Sequence, residues 1–107
     1  MELVQELIDK NNDLSTSIKL LRNHGTKLAE AEMKYKILLS ETVLRLRAEG
    51  MAVTLINLVV YGDRQVAELR LKRDIAKTMY DANQEHINVT KLQIRIIENQ
   101  LQREYNG

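Results

Sequence analysis

The stretch AEGMAVTLINLVVYGDRQVAEL, residues 48–69, contains two of the four glycines of the chain and its longest run of apolar residues. The flanking segments are long and charged, and the chain has no proline that would interrupt a helix. Because glycine favours helix ends and turns, the stretch predicts that the chain reverses direction between two long helices. The same stretch is then either a simple connection between helices or a surface that binds a partner.

The composition points to helices and excludes several classes of protein. With 107 residues the chain forms one domain at most, here residues 1–107 as a single helical domain. Charged residues at 29% and aromatic residues at 4% are typical of long amphipathic helices or a coiled coil. The lack of cysteine excludes disulfide and thiol chemistry and fits a reducing compartment. No segment has the length of a membrane span and no signal peptide opens the chain, so a cytoplasmic location is expected.

Helix signals divide the chain into three helices. The first is predicted over residues 2–48, with Gly50 as the signal that stops it. Gly25 could break it, with Thr26 capping a new helix, but the leucine pattern keeps its phase across Gly25 and favours a continuous helix. A short helix over 54–61 would be capped by Thr54 and end at Gly62. Asp63 would cap the last helix, 63–105.

Heptad spacing predicts how these helices pack. The first helix has Leu7, Leu14, Leu21 and Leu28 at intervals of seven residues, continued by Tyr35. A second column lies four residues beyond each of these, at Asn11, Ile18, Gly25, Glu32 and Leu39. The last helix has two apolar stripes. One comprises Val66, Leu69, Ala76, Tyr80, Ile87, Ile94, Ile97, Leu101 and Tyr105. The other comprises Leu71, Ile75, Met79, Ala82, Val89, Leu92 and Ile96. One stripe can pack on the first helix, and two make an apolar face wider than one partner covers.

The fold prediction is therefore all-α: a long antiparallel helical hairpin with a short connecting helix, which dimerises into a helical bundle or coiled coil. A lone pair of helices has little interior, which favours a homo-oligomer. The residues predicted at the oligomer interface are Leu7, Leu14, Leu21, Leu28, Ile87, Ile94, Ile97 and Leu101.

Positive charge is concentrated around the central stretch. Residues 34–77 carry nine basic and five acidic side chains, whereas residues 1–33 carry four and six, and residues 78–107 carry three and four. Three interpretations compete for this region: a plug that closes the hairpin, a helix-turn-helix that reads DNA through Arg64, Gln65 and Glu68, and a surface that docks a protein. The residues predicted to bind a protein or nucleic acid are Arg45, Arg47, Leu55, Leu58, Val59, Tyr61, Arg64, Arg70, Lys72 and Arg73.

No motif for catalysis or for a cofactor occurs in the chain. His24 and His86 lack a second metal ligand one helical turn away, and no Glu-x-x-His pair is present. There is no glycine-rich phosphate loop and no serine with an evident base. The expectation is a protein that is not an enzyme, with no metal and no cofactor.

From Leu44 to Tyr105 the chain resembles a group of small helical proteins of unknown function encoded by phages and prophages of Gram-positive bacteria. The likeness rests on LRAEGM at 46–51 with VTLI at 53–56, and on ANQEHINVTKLQIRIIENQLQREY at 82–105. It implies a phage accessory protein acting in the cytoplasm of a bacterial host. It assigns no catalytic residue.

The sequence and the resemblance together predict a function by protein–protein interaction. The chain would modulate or inhibit a host or phage protein that processes nucleic acid, by analogy a defence system such as CRISPR. The alternative is a nucleic-acid-binding protein of a phage replication or recombination module, which would use the basic region 45–73.

Overall fold

The computed structural model describes residues 2–106, and this part of the chain is all-α, as predicted. Its helices are α1 (Glu2–Ala48), α2 (Val53–Val59) and α3 (Arg64–Asn106). A short 3₁₀ helix, Val60–Gly62, follows α2 directly. No strand occurs in the range described. Gly25 lies inside α1, which continues through it without a break.

The end of α1 depends on Gly50. This glycine has φ +90°, the left-handed conformation that other residues adopt only at a cost. Its N–H donates to the carbonyl of Arg47 at 3.0 Å, and the N–H of Met51 donates to the carbonyl of Leu46 at 3.1 Å. This pair of bonds is a Schellman motif, which satisfies carbonyls that the helix end would otherwise leave unpaired.

The start of α2 differs from the prediction. Ala52, in an extended conformation, precedes the helix, and its carbonyl accepts the N–H of Ile56 at 2.9 Å. No side chain caps this turn, so the assignment of Thr54 as the cap is wrong. The tight Gly50 turn lets the helix begin at Val53, which places Thr54 inside it. The α-helical geometry ends at Val59, and the last residues of the predicted 54–61 helix are 3₁₀.

The start of α3 agrees with the prediction for Asp63. Its Oδ1 accepts the backbone N–H groups of Gln65 and Val66, each at 3.1 Å. These are two of the donors that the first turn of a helix leaves without a partner. Asp63 therefore fixes the residue at which α3 begins.

The chain groups into two compact units. The terminal unit combines the part of α1 up to His24 with the part of α3 from Met79 onward, and the central unit is Gly25–Thr78. Each is described separately below.

In the terminal unit the covered face of α3 is formed by Ile87, Thr90, Ile94 and Ile97. A hydrogen bond joins the two helices, from the Nδ2 of Asn83 to the carbonyl of Ser17 at 2.9 Å. Thr90 is buried, and its hydroxyl donates to the carbonyl of His86 at 2.8 Å within α3. Asn83 and Thr90 are therefore satisfied by backbone carbonyls, which makes their burial tolerable.

The second column of α1 lies elsewhere than predicted in the terminal unit. The leucine column is half-buried, but its neighbours on the covered face lie three residues beyond each leucine, at Lys10, Ser17 and His24. The predicted residues Asn11 and Ile18 are exposed. The apolar spacing predicted the wrong column because the residues on the covered face here are polar, and one of them, Ser17, is small.

The predicted oligomer interface is covered within the single chain. Ile87, Ile94 and Ile97 are buried, and the remaining members are half-buried: Leu7, Leu14, Leu21, Leu28 and Leu101. These side chains form the contact between α1 and α3 of one chain, since their apolar surface is already removed from water.

Candidate protein-docking surface

One face of α2 anchors it in the central unit. Ile56 is 1% exposed, Val60 is 2% exposed and Val66, on the first turn of α3, is fully buried. Burying such side chains contributes roughly 1.5–3 kcal/mol each. Ile56 and Val60 are therefore the residues of the apolar run that are covered within the central unit.

The other face of α2 is apolar and open to water. Leu58 is 80% exposed, Val53 57% and Leu55 46%. Val59 and Tyr61 are exposed as well. We call these five residues the α2 surface. A helix of seven residues that buries one side chain fully and exposes four large apolar ones has more apolar surface than its packing requires.

The basic residues of the region fall into two groups. Arg45 lies 3.3 Å from Glu49 and 3.5 Å from Asp63, so its charge is offset by two carboxylates. Arg73 donates to Asp74 at 2.7 Å and stacks over the buried Tyr35 ring at 4.7 Å. The hydrogen bond to Asp74 raises the pKa of Arg73. Both arginines therefore have their partners within the central unit.

The second group lies open at the surface. Arg47, Arg64, Arg70 and Lys72 are exposed. Arg70 stacks on the ring of Tyr61 at 5.3 Å, which places one cation beside the α2 surface. Lys72 instead lines a small cavity of about 130 Å³ that it shares with Lys27, Glu30 and Lys34.

The residues assigned to DNA reading are also exposed. Arg64, Gln65 and Glu68 lie on the open side of the first turns of α3. Their Asp63 cap and the carboxylate of Glu68 add negative charge at the end that would approach a phosphate backbone. The first turns of α3 therefore present both a cation, Arg64, and a carboxylate, Glu68, to water.

Val53 was missed among the predicted site residues. Its exposure of 57% exceeds that of Leu55 and Tyr61. The assignment of Thr54 as a cap placed Val53 outside the helix. The signal that could have found it is the alanine before it, which has no capping side chain and so does not mark a later helix start.

The part of the chain described contains neither a cluster of metal ligands nor a helix able to cross a membrane. Within residues 2–106 no three histidine or carboxylate side chains come together as metal ligands. None of the helices described has both the length and the apolar content needed to cross a bilayer.

Comparison with known proteins adds no relative: no protein family, no curated protein and no solved structure matches the chain.

Proposed function

We propose that this chain is a non-enzymatic protein that binds another protein through the α2 surface. The main support is the contrast between two side chains of α2. Leu58 is 80% exposed, whereas Ile56, on the opposite side of the helix, is 1% exposed. Contiguous exposed apolar side chains with a polar rim are characteristic of protein interaction sites.

The partner we propose carries an apolar patch with an acidic rim. Arg47, Arg64 and Arg70 are exposed in the segments next to the α2 surface, and Arg70 lies against Tyr61. Such cations accelerate the encounter with an acidic protein, while the apolar centre supplies the affinity. Following the resemblance, the partner is a host or phage protein that processes nucleic acid, in the cytoplasm of a bacterial host.

The architecture proposed for this role has α1 and α3 antiparallel within each unit. In the central unit Arg45 contacts Asp63, and Tyr35, ten residues earlier, contacts Arg73, ten residues later. In the terminal unit Ser17 contacts Asn83. We further propose that the protein is a homodimer, since a two-helix arrangement leaves much apolar surface uncovered.

The test is affinity capture from nuclease-treated host lysate with three forms of the protein. The wild type is compared with Leu58→Ser and with Leu20→Ser, an exposed leucine of the terminal unit that is 44% accessible. We expect one protein to be retained by wild type and Leu20→Ser and lost from Leu58→Ser. With that protein purified, Leu58→Ser should weaken binding about 30-fold, as expected for an interface anchor. Equal retention by all three forms would refute the proposal.

Nucleic-acid binding is the second candidate function, supported by the cavity at which Lys27, Lys34 and Lys72 meet. Binding to duplex or single-stranded DNA would weaken steeply with salt, in proportion to the phosphates neutralised. Lys72→Glu should then abolish it, with Lys91→Glu, an exposed lysine of the terminal unit, as the matched control. No binding at low salt would exclude this function.

A further inference from the structure

The part of α3 in the terminal unit has a second seam on its exposed side. Six exposed residues follow one another at intervals of four and three: Glu85, Val89, Leu92, Ile96, Asn99 and Arg103. We call this set the outer seam. Its apolar centre is open to water, with Val89 42%, Leu92 52% and Ile96 49% exposed. Alternating intervals of four and three are the pattern of a helix that packs against another helix.

The outer seam is separate from the face that α3 already uses. Ile87, Ile94 and Ile97 are at most 9% exposed and lie on the covered side of the same turns. A helix partner could therefore pack on the outer seam without disturbing the contact between α1 and α3.

The accessible area of the chain is sufficient for such a partner. The chain exposes 8106 Å², whereas a compact monomer of 12.4 kDa exposes about 6100 Å² by the usual scaling of area with mass. The excess is about 2000 Å², and a stable interface of standard size removes only about 800 Å² from each partner.

The distribution of charge identifies the occupant. Glu85 lies at one end of the outer seam and Arg103 at the other, with the apolar residues between them. When two copies of this helix pair antiparallel about a two-fold axis beside residue 94, residues equally distant from 94 face each other. Leu92 then meets Ile96 of the second copy, and Glu85 meets Arg103 of the second copy, twice over.

Other pairings of the same helix are less favourable. A parallel pair would place Glu85 against Glu85 and Arg103 against Arg103, where like charges repel. An axis moved to residues 90–91 would place Ile96 against Glu85, which buries a carboxylate on an apolar side chain. The axis beside residue 94 places Leu92 against Ile96 and Glu85 against Arg103, with Val89 facing Asn99.

We infer that the outer seam of α3 binds the outer seam of a second copy, antiparallel, with reciprocal Glu85–Arg103 ion pairs. This inference rests on the homodimer proposed above and specifies its interface. The α2 surface takes no part in it, so both copies of that surface remain free to bind partners.

Charge reversal tests the inference. Glu85→Arg and Arg103→Glu are each compared with the double variant by sedimentation equilibrium, with helicity checked by circular dichroism. Each single reversal should weaken dimerisation at least tenfold, because two pairs per dimer become repulsive. The double variant restores opposite charges and should return to within about threefold of wild type. Lys91→Glu, an exposed charge outside the outer seam, should change nothing.

The outcomes separate the interface from the dimer and from partner binding. A wild-type dimer that tolerates both single reversals would overturn the assigned face and leave the dimer standing. A wild type that is monomeric at every concentration would overturn both. Neither result bears on capture by Leu58, which is measured independently.

Discussion

The two apolar faces of α3 have similar composition and opposite surroundings. Ile87, Ile94 and Ile97 are buried, whereas Val89, Leu92 and Ile96, two residues away along the same turns, are about half exposed. α2 repeats the contrast at a smaller scale, with Ile56 covered and Leu58 open. Hydrophobicity alone does not distinguish the faces, because both consist of β-branched and aliphatic side chains. The difference teaches that the covered faces stabilise the fold and that the open faces are available for binding.

The largest effect on stability should come from truncating a buried isoleucine of α3, and an exposed isoleucine of the same helix is the control. Ile87→Ala removes a side chain that is 6% exposed and should lower the free energy of unfolding by about 2–5 kcal/mol. Ile75→Ala, at 54% exposed, should stay within about 0.5 kcal/mol. Urea denaturation monitored by circular dichroism measures both. Equal losses would remove the distinction between covered and open faces.

A smaller effect should follow from changing Gly50 in the turn that ends α1. Gly50→Ala forces an alanine to φ +90° and should cost about 1–2 kcal/mol. Gly62→Ala meets no atom within 4 Å of the added carbon and has no left-handed strain, so it is the control. Thermal unfolding compares the two variants. Equal melting temperatures for both would show that Gly50 is not under this constraint.

The polar residue on the covered face of the terminal unit should contribute still less. Asn83→Ala removes the hydrogen bond to the Ser17 carbonyl and should cost about 1 kcal/mol. Asn88→Ala changes an exposed asparagine of the same helix and should be nearly neutral. Hydrogen exchange around Ser17 would detect the loss locally. If protection is unchanged, the bond does not order this part of the seam.

The smallest effect on stability should occur on the α2 surface. Leu58→Ser should change the free energy of unfolding by less than about 0.5 kcal/mol, because the side chain is mostly in water already. Chemical denaturation provides the measurement. A cost of 2 kcal/mol or more would mean that Leu58 supports the fold, and the open face of α2 would lose its meaning as a docking surface.

Much of the local structure was predictable from residue type. Gly50, with its left-handed φ, and Asp63, with its two accepted N–H groups, end and begin helices for reasons contained in their own chemistry. The leucine column of α1 and the two stripes of α3 follow from helical spacing. Thr54 was misjudged because the helix begins at Val53, after Ala52, and the first turn has no side-chain cap.

The sequence by itself determined that the described chain is helical, where its long helices end and which stripes could pack. Only the tertiary structure decided which stripe of α3 is covered, that Ser17 rather than Ile18 faces α3, and that Leu58 remains in water while Ile56 does not. The physical reason is that helix formation depends on neighbours in sequence. Burial depends on which faces the other helix reaches, and polar residues such as Asn83 influence that choice by requiring a partner for their hydrogen bonds.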